Sequence, residues 1–154
     1  MSFDARIAEL NLILPPAPKP VATYVPVAVL NNVAYVSGHG PLRPDKTMIC
    51  GVVGADLTEA EGREAARTVG LAILATLRNS LGSLDKVVRL VKTLGMVNAS
   101  ADFPNHPAVI NGFSDLMVEV FGETAGKGAR SAVGMGSLPG NIAVEIEAIF
   151  EIRP

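Results

Sequence analysis

The sequence predicts an α+β fold in which one mixed β-sheet carries two long helices on one of its faces. Three observations predict this class. The chain has strand-like segments rich in β-branched residues near both ends, and two segments with helical periodicity flank a central strand-like segment. A length of 154 residues suits one domain with a substantial core and is short for two. We therefore expect a single domain spanning residues 1–154.

The N-terminal segment, residues 1–20, is predicted to be a short helix followed by a proline-rich connector. The helix should cover residues 3–11, because apolar side chains recur there at helical spacing. The sequence PPAPKP at 15–20 then excludes regular secondary structure, since proline lacks a backbone N–H donor. The stripe of the helix consists of Phe3, Ile7 and Leu10.

Two strands are predicted in the segment YVPVAVLNNVAYVSG. Asn31 and Asn32 separate two β-branched runs, and asparagine tolerates the positive φ that tight hairpins need. The following segment, GPLRPDKTMICG, reads as a loop with a short third strand near Cys50. We also expect Cys50 to be buried as a small apolar side chain.

The first long helix is predicted to begin after Thr58 and to run to about Ser80. Thr58 and Glu61 have the spacing of a capping box, and Gly82 is suited to end the helix. Small residues on its inner face would let it lie close to a sheet. That face comprises Ala65, Val69, Ala72, Ile73 and Leu77.

A long strand, KVVRLVKTLGMVNA, precedes the second helix in DFPNHPAVINGFSDLMVEVFGE. Pro107 suits the first turn of this helix, and Gly122 is predicted to end it. The two helices would cover one face of the sheet and leave the other face for a partner. The buried stripe of the second helix comprises Ile110, Phe113, Met117, Val120 and Phe121.

The C-terminal segment GARSAVGMGSLPGNIAVEIEAIFE is predicted to form two strands joined at Pro139 and Gly140. Proline followed by glycine is typical of a type II turn, and a hairpin centred there fixes which residues share a face. One face would then hold Arg130, Ala132, Gly134, Gly136, Glu145 and Glu147. The other would hold Val133, Met135, Val144, Ile146 and Ala148, under the helices.

This register predicts a shallow surface of small side chains with a guanidinium at one end and carboxylates nearby. Such an arrangement suits a small anion beside a general acid or base. An alternative interpretation is structural: alternating charges on a terminal strand are often its solvated face, and a cross-strand Arg–Glu pair is common.

Composition narrows the possible functions. Hydrophobic residues make up 49% of the chain and charged residues 18%, a balance that favours a subunit interface. A net charge of −2 gives no broad attraction for nucleic acid, and no apolar run is long enough to cross a membrane. A single cysteine excludes an internal disulfide and a cysteine-based metal site, and the two histidines, His39 and His106, are isolated in sequence. We expect a cytoplasmic, oligomeric protein that needs no metal.

Several segments resemble the Rid (YjgF) family of reactive intermediate deaminases, whose members are also named L-PSP endoribonucleases. ARSAVGMGSLPGNIAVEIEAI resembles the C-terminal signature of the family, an arginine followed by Leu-Pro and Val-Glu-Ile-Glu-Ala-Ile. YVPVAVLNNVAYVSGHGPL, LVKTLGMV and VINGFSDLMVEVFGE resemble its N-terminal hairpin, middle strand and second helix. The form of the last segment suggests a less-characterised branch of the family.

The resemblance implies a homotrimer with a chorismate-mutase-like fold of the bacillus type and with sites in the clefts between subunits. It also implies hydrolysis of 2-aminoacrylate-type enamines and imines to 2-keto acids and ammonia, without a cofactor. These substrates carry a carboxylate and arise from pyridoxal-phosphate enzymes.

The resemblance also assigns roles to individual residues. Arg130 matches the arginine that binds the substrate carboxylate, and Glu145 matches the glutamate that positions the attacking water. The remaining binding residues are Tyr24 at the mouth of the cleft, Ser37 and Gly38 on its wall, Asn111 on the second helix, and Ala132. Tyr24, Ser37, Gly38 and Asn111 also have plain structural interpretations, as core, strand-end or solvated positions.

Two departures from the family pattern keep other functions open. Ala132 stands where well-known deaminases have a cysteine, although its backbone N–H remains available to a carboxylate. His39 stands where many members have glutamine after Ser-Gly. The first alternative is therefore a trimeric binder or sensor of small carboxylates without turnover. The second is the endoribonuclease named in the family label, which the low aromatic content of 5% and the negative charge disfavour.

Overall fold

The computed structural model describes residues 2–154 and shows an α+β fold built on one mixed, five-stranded sheet. Across the sheet the strands lie in the order β1-β2-β5-β3-β4; β3 and β4 are parallel and the other neighbours are antiparallel. The strands are β1 (Val27–Leu30), β2 (Val33–His39), β3 (Val87–Asn98), β4 (Ala129–Met135) and β5 (Val144–Ile152). The helices are α1 (Phe3–Glu9), α2 (Glu59–Leu81) and α3 (His106–Gly126), with 3-10 turns at Leu84–Lys86 and Pro139–Asn141.

The predicted start and end of α2 are confirmed. The Thr58 side chain accepts a hydrogen bond from the backbone N–H of Glu61, and the Glu61 carboxylate accepts one from the backbone N–H of Thr58. This reciprocal pair satisfies two donors that the first helical turn leaves free. Gly82 ends the helix in a left-handed conformation with φ 85°.

The prediction that Gly122 ends the second helix is wrong in detail. Gly122 does leave the helical conformation, with φ 87° and ψ 169°, but the chain resumes helical turns and α3 extends to Gly126. The glycine therefore produces a kink. A residue with a side chain at this position would be strained, because the positive φ is favourable only for glycine. Pro107 occupies the first turn of α3, as predicted.

The hydrophobic core lies between the sheet and the helices α2 and α3. The predicted inner faces of both helices are confirmed, since their side chains are buried: α2 packs against β5, and α3 packs against β3 and β4. The largest fully buried side chains include Phe113 of α3, Phe150 of β5 and Ile73 of α2. The opposite face of the sheet, which we name the outer face, is not covered by a helix of residues 2–154.

The N-terminal hairpin is confirmed and the strand near Cys50 is not. Leu30 pairs with Val33 across Asn31, which has φ 53°. Around Cys50 the structure has isolated bridges in place of a strand, including Cys50 with Ile142. Cys50 itself is exposed, so the prediction that it is buried is wrong.

The predicted C-terminal hairpin is also wrong, because β3 lies between β4 and β5. Strand β4 returns from α3 and pairs in parallel with the free edge of β3, whereas β5 pairs antiparallel with both β3 and β2. The segment Pro139–Asn141 is a 3-10 turn in which Gly140 has φ 61°. It therefore connects β4 to β5 across the end of β3, and the two strands that it connects are not paired with each other.

This topology changes which residues share a face. Thr93 of β3 pairs with Arg130 on one side and with Ala148 on the other, and both Thr93 and Ala148 are buried under the helices. Residues paired directly across strands point to the same face, so Arg130 lies on the helix side. Glu145 and Glu147 pair with Met96 and Leu94 and lie on the outer face. The prediction that Arg130 shares a face with the two glutamates is therefore wrong.

The same correction applies to neighbouring positions of β4. Val133 pairs with Met96, so Val133 and Met135 lie on the outer face and not under the helices as predicted. Val144, Ile146 and Ala148 are buried beneath the helices, as predicted. Within residues 2–154, no helix combines the length and apolar character needed to cross a membrane.

Candidate functional site

Arg130 lies on the edge strand β4, with its guanidinium turned toward α3. Its Nη1 donates a hydrogen bond to Ser114 Oγ at 3.0 Å, and its Nη2 lies 3.5 Å from the carbonyl oxygen of Pro107. The side chain is half-buried, and within residues 2–154 it forms no ion pair. Two neutral oxygens leave most of the charge and several N–H donors of the guanidinium available to an anion.

Asn111 of α3 and Arg130 line the same cavity, which has a volume of about 250 Å³. Asn111 and Ser114 are three residues apart, so they lie on the same face of the helix. The other charged side chains of the cavity are already paired: Asp115 with Arg63, and Lys127 with Glu123. Among the described residues of this cavity, Arg130 is therefore the cation best placed to bind a carboxylate. We name this cavity the arginine pocket.

Ala132 follows Arg130 on the same face of β4. It pairs with Gly95 of β3 and is half-buried against the core. Because β4 is an edge strand with a paired neighbour on one side only, half of its backbone N–H groups lack a partner in the sheet. The edge of the sheet beside Arg130 is thus open to a ligand or to another chain.

Glu145 lies on the outer face, in the centre of the sheet, against Gly38 of β2. A Cβ atom at Gly38 would lie 2.9 Å from Glu145 Oε2, so the absence of a side chain at Gly38 makes room for the carboxylate. Burial raises the pKa of Glu145, and the nearby charge of Glu147 raises this pKa further. A carboxylate with a raised pKa is a stronger base than an ordinary glutamate, as general-base catalysis requires.

Tyr24 and Ser37 lie on the outer face near the second carboxylate, Glu147. They line a groove of about 570 Å³ together with Tyr35, Lys92 and Glu147, over an otherwise apolar floor. The Ser37 hydroxyl donates a hydrogen bond to the carbonyl of Val25 at 2.7 Å, so its proton serves the local structure. We name this region, together with Glu145 and Gly38, the outer-face groove.

The structure therefore brings the predicted residues together in two groups. Arg130, Asn111 and Ala132 lie at the β4 edge on the helix side, whereas Tyr24, Ser37, Gly38 and Glu145 lie on the outer face of β2 and β5. One protomer alone does not place the guanidinium of Arg130 beside the carboxylate of Glu145.

Two residues near the site were not predicted from the sequence. Ser114 accepts a hydrogen bond from the guanidinium of Arg130. Ser114 is three residues after Asn111 on a predicted helix, and this spacing could have indicated that the two side chains share a face. His39 was noted as a departure from the family pattern, but its burial and its contact with Ser37 depend on long-range packing. No group of three or more His, Cys, Asp or Glu side chains within residues 2–154 is arranged to hold a metal ion.

Comparisons with known proteins agree with this fold. Residues 4–148 match the family described as "YjgF/chorismate mutase-like, putative endoribonuclease". Protein TCP17 of Trypanosoma cruzi is 39% identical over 149 residues, which cover 97% of this chain and 93% of that protein. The chain therefore belongs to the YjgF/RutC/Rid family.

Two solved structures show how the fold varies within the family. The protein Atu1372 of Agrobacterium tumefaciens, described as having unknown function, superposes with a TM-score of 0.89 at 41% identity, over 98% of this chain and 92% of its own. RidA from Psychrobacter sp. PAMC 21119 superposes with a TM-score of 0.62 at 27% identity, over 88% of this chain and 94% of its own. The backbone is thus more similar to that of Atu1372 than to that of RidA.

Proposed function

We propose that this protein is a homotrimeric hydrolase that converts reactive enamines and imines of the 2-aminoacrylate type to 2-keto acids and ammonia. One observation carries the proposal. Arg130 presents a half-buried guanidinium to an open cavity and forms no ion pair within residues 2–154. A planar, permanently charged group with free donors is suited to bind the carboxylate of such substrates.

The chemistry needs a carboxylate clamp and a base. The enamine takes up a proton from solvent at C3 and becomes an iminium ion. A water oxygen then bonds to C2 while the Glu145 carboxylate accepts a proton from that water. The resulting carbinolamine receives the proton on its nitrogen. The C–N bond breaks, the hydroxyl proton passes to Glu145, which releases it to solvent, and ammonia leaves with a 2-keto acid. The raised pKa of Glu145 suits both directions of proton transfer.

We further propose that each site forms between two subunits. Family resemblance implies a trimer, and the arginine pocket and the outer-face groove lie on opposite faces of one sheet. The β4 edge of one protomer, which carries Arg130, is free to approach the outer-face groove of the next. The apolar floor of that groove, with Tyr35 and Leu94, is of the kind that subunit contacts cover.

A coupled assay tests the proposal. A serine dehydratase generates 2-aminoacrylate in the presence of the protein, and 2-keto acid formation is followed against buffer alone. We expect acceleration by the wild type and a loss of roughly 100-fold in kcat/KM for Arg130→Ala, since a charged hydrogen bond contributes about 1.5–3 kcal/mol. Arg78→Ala, at an exposed arginine of α2, is the matched control and should retain activity. Absence of acceleration by the wild type, or equal rates for the wild type and Arg130→Ala, contradicts the proposal.

A second candidate is a carboxylate binder without turnover. The observation that favours it is Ala132 at the position of a family cysteine, together with the low TM-score of 0.62 against RidA. A binder predicts that a small 2-keto acid raises the melting temperature of the wild type but not of Arg130→Ala, while the coupled assay shows no acceleration. The two assays together therefore separate the candidates.

A further inference from the structure

Strand β2 contains a β-bulge opposite Glu147, and Gly38 of this bulge lies against the Glu145 side chain. Val36 pairs with Ala148 and His39 pairs with Ile146, so three steps along β2 correspond to two steps along β5. The extra residue lies in the Ser37–Gly38 segment. A bulge breaks the regular ladder, so its conformation must be held by other contacts.

The side chain of His39 supplies such a contact from beneath the sheet. It is 6% exposed; its Nδ1 lies 2.6 Å from the carbonyl oxygen of Ser37 and its Nε2 lies 2.8 Å from Thr76 Oγ1 of α2. A carbonyl oxygen only accepts, so Nδ1 carries the proton and Nε2 accepts the hydroxyl proton of Thr76. Burial lowers the pKa of His39, which favours this neutral form.

Ser37 is held at all three of its polar groups. Its carbonyl accepts from His39, its N–H donates to the carbonyl of Pro26 at 3.0 Å, and its hydroxyl donates to the carbonyl of Val25 at 2.7 Å. These bonds fix the bulge to the segment that carries Tyr24. They leave Gly38, the next residue, with its Cα against the Glu145 carboxylate.

We infer that His39 is a positioning residue, which anchors the Ser37–Gly38 bulge to Thr76 of α2 and thereby holds the Glu145 carboxylate in its half-buried position against Gly38. The inference rests on the proposed function for its catalytic consequence, but the positioning itself is a structural property. The chain of contacts runs from α2 through the imidazole and the Ser37 carbonyl to Gly38 and Glu145.

Few charged groups lie close enough to Glu145 or His39 to change their protonation. The residues that face Glu145 from neighbouring strands are Gly38 of β2 and Met96 of β3, neither of which titrates. Glu147 on β5 itself is the charged neighbour that raises the pKa of Glu145. His39 hydrogen-bonds to a neutral hydroxyl, that of Thr76, and to a neutral carbonyl; Lys19 is the charged side chain that lines the cavity shared by Gly38 and His39.

Two buried threonines of α2 provide a matched pair for the test. Thr76 donates to His39, whereas Thr68 donates to the carbonyl of Glu64 within its own helix. The isosteric changes Thr76→Val and Thr68→Val both remove one buried hydroxyl, and only the first releases the imidazole. The pKa of the Glu145 carboxyl is measured by NMR titration in both variants and in the wild type, which needs no activity.

We expect Thr76→Val to lower the pKa of Glu145 toward its ordinary value, because a loosened bulge admits water beside the carboxylate. Thr68→Val should leave this pKa unchanged. In the coupled assay, Thr76→Val should reduce kcat by roughly 10-fold to 100-fold with little change in KM, since a misplaced base affects the chemical step and Arg130 still binds substrate.

The amide of glutamine also offers a donor group, its NH2, and an acceptor, its carbonyl oxygen. His39→Gln should therefore retain the Glu145 pKa and most of kcat, and His39→Leu should lose both. An unchanged Glu145 pKa in Thr76→Val, or equal shifts in both threonine variants, overturns the inference. A wild type without turnover overturns the proposed function instead, and the NMR titration still decides the role of His39.

Discussion

At the residue scale, the two outer-face glutamates differ in their surroundings although they are two positions apart on β5. Glu145 is half-buried against Gly38, and Glu147 is exposed at the outer-face groove. The pKa of Glu145 is raised by its own burial first and by the charge of Glu147 second. Glu147 therefore acts on Glu145 through space, as a second negative charge that makes ionisation harder.

Replacing Glu147 by glutamine should shift the acid limb of kcat/KM to lower pH. Removing the negative charge eases ionisation of Glu145, so the active carboxylate form persists at lower pH. The pH profile of the coupled assay measures this shift, with Glu64→Gln on α2 as the control. A limb that stays in place would show that Glu147 does not influence the proposed base, and a limb that moves upward would contradict the predicted direction.

The same shift has a consequence for folding stability. An acid whose pKa is raised by folding is penalised when ionised, and this penalty is absent below its unfolded pKa and complete above its folded pKa. Glu147→Gln should therefore raise the free energy of unfolding at neutral pH more than at a pH below the unfolded pKa of Glu145. Urea denaturation at two pH values provides the comparison.

Candidate site residues could be named from the sequence, whereas their placement in the fold could not be predicted. The family resemblance pointed to Arg130, Asn111 and Glu145. In the structure all three are partly exposed: Arg130 and Asn111 line one cavity, and Glu145 lies against Gly38 of the neighbouring strand. The face assigned to Arg130 was wrong because it relied on a local hairpin. Burial of His39 depended on contacts 37 residues away, which a single sequence does not reveal.

At the element scale, the helices α2 and α3 approach each other closely at Gly112. A Cβ atom at Gly112 would lie 2.0 Å from the carbonyl oxygen of Arg63, which is a backbone atom of the other helix and has little freedom to move. The glycine therefore sets the separation of the two helices, and with it the position of α3 relative to Arg130.

Gly112→Ala should destabilise the protein by about 3 kcal/mol, at the upper end of the usual cost of overpacking. In an exposed helix the same change would stabilise, because alanine has the higher helix propensity. Gly136→Ala is the control, since nothing lies within 4 Å of its Cβ position. Urea denaturation at fixed protein concentration measures both variants; a neutral or stabilising Gly112→Ala would contradict the close approach.

The helices and strands could be predicted from the sequence, but the pairing of the last two strands, β4 and β5, could not. Capping residues at Thr58 and Gly82 and the helical apolar stripes are local signals, and the structure confirms them. The Pro139–Gly140 pair is also a local signal of chain reversal, but a turn does not determine which strands meet. Strand β5 pairs with β2 and β3 in the centre of the sheet, where its alternating apolar residues are buried on the helix side.

At the scale of the whole molecule, the apolar composition is explained only in part by the core. Exposed apolar side chains remain on the chain, among them Tyr24, Val25 and Tyr35 around the outer-face groove. A face of this kind is usually covered by another subunit. This agrees with the proposed trimer and with the low proportion of charged residues, 18%.

The proposed trimer predicts a mass of about 48 kDa in solution, three times the chain mass of 16.0 kDa. Ile149→Arg places a charge on the floor of the outer-face groove and should yield monomers, because an unpaired charge in an interface is costly. Ile13→Arg, at a position 71% exposed near the N-terminus, is the control and should leave the mass unchanged. Light scattering coupled to size-exclusion chromatography decides, and a monomeric wild type would contradict the trimer.

Subunit complementation tests the central claim most directly, namely that Arg130 of one protomer and Glu145 of another form each site. Arg130→Ala and Glu145→Gln trimers should each be inactive, and mixing them under conditions of subunit exchange should create sites with both native residues. Random exchange of equal amounts predicts recovery of about a quarter of wild-type activity, because each residue is intact at half of the sites. No recovery, with exchange verified by mass spectrometry, would contradict a site shared between subunits.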